Sequence, residues 1–279
     1  PELISGTSAG QPVQIWISSG FRDFAAAPIT LSDTGSNEGV AVADFDQDGN
    51  LDIVIANGSG EVDRVWGGDG MGNFSLMANL TSTFANGVAV GDFNNDGKLD
   101  IAIAAEGGNP IFHGNGNGGF NLQRELSDAS SQDVAVADFD NDGRDDVVFA
   151  NSGGSSKIYN GARNITLSTL AIGDVTSVAV AQLGGNSRPD LVFGRIPSGI
   201  GDAPSNPVFI YQNGFSSPSA LLGAAPTFDV HTGDVNSDGL TDIVFINSSG
   251  VHQIWIADSN GNFALYSEQI VADSSIAGV

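Results

Sequence analysis

The chain has 279 residues, no cysteine, and a formal net charge of −24 from 33 acidic and 9 basic residues. So acidic a surface repels phosphate backbones and excludes nucleic acid as a partner, and the lack of cysteine excludes disulfide staples and thiolate metal sites. No apolar run approaches the roughly 18 residues of a membrane span, while 41% hydrophobic residues and 38 glycines mark a folded, turn-rich chain.

In chain order the elements form a repeat. Pro1-Glu2-Leu3-Ile4-Ser5-Gly6 matches Pro189-Asp190-Leu191-Val192-Phe193-Gly194, a strand that follows a loop. The segment from Pro12 to Phe24 then reads as the third and fourth strands of the same unit. From Gly39 comes the first full unit, GVAVADFDQDGNLDIVIANG, in which two apolar stretches rich in Val and Ile flank a D-x-[DN]-x-D-G-x-x-D loop. A short third strand ending in an aromatic follows, then a Gly/Asn turn and a fourth strand at 70–76, 116–122 and 259–265 in three of the units. Units starting at Gly87, Asp133, Ser177 and Asp229 repeat the frame, with loops beginning at Asp44, Asp92, Asp138, Gln182 and Asp234, in steps of 48, 46, 44 and 52 residues.

Four short antiparallel strands in each unit of some 45 residues predict an all-β fold, a six-bladed β-propeller of four-stranded blades, as one domain over 1–279. The units lie near 39–86, 87–132, 133–176, 177–228 and 229–271, with a sixth assembled from 1–38 and 272–279. In that shared blade Ile276–Val279 supplies the first strand and the N-terminus supplies strands two to four, which closes the ring and leaves no free edge. A third-strand aromatic recurs at Trp16, Trp66, Phe112, Tyr159, Tyr211 and Trp255, and packing between blades explains it better than ligand stacking.

The loops carry the chemistry. Ca²⁺ takes six to eight oxygens, and positions 1, 3, 5, 7 and 9 offer them, position 7 through its carbonyl, with glycine at position 6 for the turn. The candidate ligands are Asp44, Asp46, Asp48, Asn50 and Asp52 in the first loop, and Asp92, Asn94, Asp96, Lys98 and Asp100 in the second. They are Asp138, Asp140, Asp142, Arg144 and Asp146 in the third, and Asp234, Asn236, Asp238, Leu240 and Asp242 in the last. About four Ca²⁺ per chain are expected from these four loops. The loop at Gln182 keeps one acid, Asp190, and no position-6 glycine, so no ion is expected there.

These motifs, repeated along essentially the whole chain, resemble the FG-GAP (VCBS) repeats of integrin α-subunit propellers and of secreted bacterial proteins. The resemblance implies a loop between strands one and two of each blade that binds Ca²⁺ structurally. The chain departs from the integrin pattern in having six units rather than seven and in lacking a long ligand-binding insertion.

The expected function is an extracellular or cell-surface binding module, of bacterial origin, that recognises a glycan or a protein, either as a monomer or within a larger multidomain protein. A polysaccharide lyase or hydrolase on the same scaffold, or a structural spacer, are the alternatives. No catalytic set stands out: His113 follows a third-strand aromatic, His231 sits in a first strand, His252 precedes a third strand, and no G-x-S-x-G elbow appears. The repeat is most irregular at 197–207 and 216–226, and irregular loops on a rigid scaffold are where binding concentrates. Glycosylation sequons at Asn57, Asn79, Asn164 and Asn247 would matter only in a eukaryotic secretory host.

Overall fold

The computed structural model describes residues 3–5, 11–16, 18–20, 23–24, 28–33, 35–127, 130–163, 165–196, 205–212 and 214–270, and every regular element among them is a strand. The chain packs as two compact units, Pro1–Asp128 and Ala129–Val279.

The first unit opens with β1 (Leu3–Ser5), β2 (Gln14–Trp16), β3 (Ser18–Gly20), β4 (Asp23–Phe24) and β5 (Ile29–Thr30). The order β1-β2-β5 is the expected run of strands two, three and four. Strand four reaches further than the Pro12–Phe24 segment assigned to it, because Gln14 pairs with Thr30 while β3 and β4 pair separately. The first strand assigned to Ile276–Val279 lies outside the described residues. Two full antiparallel sheets follow. One is β6 (Asn37–Ala43), β7 (Asp52–Asn57), β8 (Val62–Gly68) and β9 (Phe74–Ser82); the other is β10 (Ala85–Gly91), β11 (Asp100–Ala105), β12 (Asn109–Gly114) and β13 (Phe120–Leu126).

The second unit holds three more four-stranded sheets in the same order. They are β14 (Ser131–Ala137), β15 (Asp146–Asn151), β16 (Ser156–Tyr159) and β17 (Thr166–Leu170); then β18 (Val175–Ala181), β19 (Asp190–Arg195), β20 (Asn206–Phe209) and β21 (Ala220–Leu222); then β22 (Thr227–Gly233), β23 (Asp242–Asn247), β24 (Val251–Ala257) and β25 (Phe263–Ile270). Part of the irregular stretch 216–226 therefore forms β21, whereas 197–204 lies outside the described residues.

Second strands are buried on both faces, which is why DIVIAN, DIAIAA and DVVFAN run apolar instead of alternating. Within each unit they pack against neighbouring sheets: Val54 and Ala56 with Ile101 and Ile103 in the first, Val148 and Ala150 with Leu191 and Phe193 in the second. The third-strand aromatics join this packing, since Trp66, Phe112 and Tyr159 are buried. Register corrects one of them. Ile53 pairs with Trp66, Ile101 with Phe112, Val147 with Tyr159 and Ile243 with Trp255, but Leu191 pairs with Phe209, not Tyr211.

Two further features recur from sheet to sheet. Each of the five described first strands has a bulge at one place, between Asn37 and Gly39, Ala85 and Gly87, Ser131 and Asp133, Val175 and Ser177, and Thr227 and Asp229. An asparagine also latches the end of strand two in three sheets: the Nδ2 groups of Asn57, Asn151 and Asn247 donate to the carbonyls of Val62, Ser155 and Val251 at 2.8, 2.9 and 2.8 Å. Two of these are the sequons Asn57 and Asn247, whose buried side chains are committed inside the fold.

Candidate metal centre

Each loop joins strand one to strand two of its own sheet, with position 9 paired to the residue just before position 1, as in Ala43 with Asp52. Its curl comes from short side chains bonding the backbone ahead of them. In the first loop the Asp48 and Gly49 amides donate to the two oxygens of Asp44 at 3.1 and 2.9 Å, and the Asn50 amide donates to Asp48 at 2.7 Å. The second loop repeats this with Asp96 and Gly97 on Asp92, the third with Asp142 and Gly143 on Asp138, and the last with Asp238 and Gly239 on Asp234.

Position 6 is glycine for a backbone reason. Gly49, Gly97, Gly143 and Gly239 have φ of 89°, 78°, 83° and 87°, with open space where a Cβ would stand. Position 4 is also left-handed, at Gln47, Asn95, Asn141 and Ser237, with φ between 57° and 64°. In the loop at Gln182 the left-handed residue at position 4 is Gly185, and Ser187 at position 6 is not left-handed.

The acid at position 9 also bonds the backbone. Asp52 is fully buried; one oxygen accepts the Phe45 amide at 2.8 Å and the other accepts the Gly68 amide at 2.9 Å. Asp100, Asp146 and Asp242 make the same pair of bonds, to Phe93 and Gly114, Phe139 and Gly161, and Val235 and Ala257. The carboxylate thus ties its loop to the end of strand three. Burial pushes the Asp100 and Asp146 carboxyls up to about 6, against the pull of these amides, and raises Asp52 as well. Asp190, the one acid left in the Gln182 loop, does the same work for Leu183, Gly184 and Tyr211 at 2.7, 2.9 and 2.7 Å.

The donor set fits a hard cation. Carboxylates of Asp44, Asp46 and Asp48 lie within 4.8 Å of one another, as do those of Asp138, Asp140 and Asp146. In the second loop the Asn94 Oδ1 is buried without a hydrogen-bond partner, while Asn94 Nδ2 contacts His113 Nδ1 at 3.2 Å. A buried carbonyl oxygen at a ligand position with nothing to accept from is what an oxygen-liganded ion would satisfy. The side chains at position 7 turn back onto position 5: Asn50 Nδ2 and Asp48 at 3.0 Å, Lys98 and Asp96 at 3.4 Å, Arg144 and Asp142 at 3.3 Å. These last two pairs are exposed and hold the loops only weakly.

The histidines do not gather. His113 lies on β12, His231 on β22 beside Asp229 at 3.1 Å, and His252 inside β24 rather than before it, its Nδ1 accepting the Asn247 amide at 3.1 Å.

Sheets and loops of this kind define a repeat protein of the β-propeller class, and solved structures match that fold. An Agrocybe aegerita lectin, described by its recognition of non-reducing terminal N-acetylglucosamine, aligns at a TM-score of 0.60 and 20% identity over 96% of this chain and 79% of that one. Saccharomyces cerevisiae Sqt1 aligns at 0.70 and 13% identity over 98% and 72%. BBS1N, from a complex with ARL6DN, aligns at 0.62 and 11% identity over 98% and 77%. No curated protein matches the sequence. The profile of the FG-GAP-like repeat matches residues 1–55, 44–103 and 92–149, more than half of the chain, and the chain belongs to that family.

Proposed function

We propose that this chain is a calcium-binding module of an extracellular or cell-surface protein that recognises a glycan or protein ligand, with the metal in a structural role. The observation that carries the metal is the convergence of carboxylates in two of four loops that share one backbone form, with Asn94 Oδ1 left unsatisfied in a third. One Ca²⁺ would sit in each loop, held by Asp44, Asp46, Asp48, the Asn50 carbonyl and Asp52 in the first and by the corresponding residues named above in the other three. The ion supplies counter-charge to carboxylates that otherwise repel one another. Binding rather than turnover is favoured by the likeness to a lectin and by the dispersal of the histidines. No helix among the described residues is long and apolar enough to cross a membrane.

Metal analysis of the chain after gel filtration in calcium tests the first half, with four ions expected; one or none sinks it. A glycan array run in calcium and in EDTA tests the second.

A further inference from the structure

The blade whose loop begins at Gln182 also departs from the others just past its third strand. Two residues past the third-strand aromatic stand Gly68, Gly114, Gly161 and Ala257, small residues whose amides bond the position-9 carboxylate. In the blade of β18–β21 this residue is Tyr211. At Gly68 and Gly114 an added Cβ would run into the carbonyls of Leu51 and Leu99. Tyr211 lies two residues past the end of its strand at Phe209, and its amide keeps the bond to Asp190.

That ring lines a hollow of about 380 Å³ in the second unit, between the sheet of β14–β17 and that of β18–β21. It is held in place: Arg188 lies 5.0 Å from its centroid, and Phe215 packs edge-on at 5.3 Å. Arg188 also reaches across to the Phe139 carbonyl at 3.1 Å, linking the two sheets. The polar part of the lining includes Asp140, Gln212 and Ser216, all exposed, and the half-buried Ser168. Asp140 accepts from Asn160 Nδ2 at 3.1 Å, which fixes its carboxylate at the rim.

A braced aromatic ring beside a carboxylate and an amide, in an open hollow of this size, suits a ligand that alternates C–H faces with hydroxyls. The net charge of −24 disfavours polyanionic sugars. We infer that this hollow binds a neutral saccharide, one pyranose unit lying against the Tyr211 ring and donating hydroxyls to Asp140 and to the Gln212 carbonyl. The assignment rests on reading the chain as a binding module. It also couples the ligand to the metal, because Asp140 is a candidate ligand of the third loop and part of the hollow's wall.

The test is a neutral glycan array with the full chain in calcium, followed by calorimetry with the selected sugar. Tyr211→Gly, which introduces the glycine found at Gly68, Gly114 and Gly161, should weaken binding about tenfold, the scale of one lost stacking contact. Tyr211→Phe should retain it. Gln212→Ala, an exposed change, should weaken binding while leaving the melting temperature unchanged, and it decides the matter if Tyr211→Gly fails to fold. Unchanged affinity in both variants would place the sugar site elsewhere and leave the glycan-binding reading standing. No neutral saccharide bound by the native chain, or a protein ligand alone, would overturn the assignment together with the glycan reading.

Discussion

Asp190 offers the sharpest test of the idea that position 9 is a backbone tie first and a metal ligand second. Its blade lacks the other loop acids, yet its fully buried carboxylate accepts three amides, from Leu183, Gly184 and Tyr211. Asp190→Ala removes both acceptor oxygens, and with them all three bonds, at once. A hydrogen bond to a charged group contributes about 1.5–3 kcal/mol, and a buried donor left unpaired costs a similar amount. Water entering the vacated space will recover part of this, so a loss of about 3–5 kcal/mol is expected, a large fraction of a typical 5–15 kcal/mol. Urea unfolding followed by circular dichroism, in calcium and again in EDTA, measures it. The loss should be equal in the two buffers, because no ion is expected in that loop. A loss under about 1 kcal/mol would refute the tie, as would a loss seen only in calcium.

The four candidate metal loops should behave oppositely. Asp48→Ala should lower stability in calcium by up to about 2.7 kcal/mol at a hundredfold excess over Kd and by much less in EDTA, whereas Asn186→Ala should cost about 1 kcal/mol or less in both; equal effects of Asp48→Ala in the two buffers would count against calcium in the first loop. Asp63 is buried, accepts from the Asn57 amide and Thr83, and burial pushes its carboxyl up to about 6. Because its folded value lies above the ordinary 3.8, the native state loses stability as pH rises from about 4 to 6, by at most about 3 kcal/mol, and no further loss from this group follows above that window. Asp63→Asn should flatten this slope in melts taken from pH 4 to 7; an unchanged slope would show that another group carries it. Gly68→Ala should destabilise by about 1–3 kcal/mol by driving Cβ into the Leu51 carbonyl, a cost read directly from the urea midpoint.

Much of this was written locally in the chain. The loop is a run of short acids that bond amides two to five residues ahead, with glycine where φ turns positive, so spacing alone marks it wherever it recurs. Second strands buried on both faces show as apolar runs for the same local reason. What depended on pairing between distant segments was not legible. The aromatic spacing pointed to Tyr211 as the third-strand residue, and only pairing with Leu191 gave that place to Phe209 and left Tyr211 to line a hollow. Acids at positions 1 and 9 look alike in sequence, yet one is folded into the turn while the other is buried and reaches across to strand three. Local spacing determines turns because a turn is closed by its own residues; register and burial belong to the tertiary structure because their partners are brought together only when the sheets form.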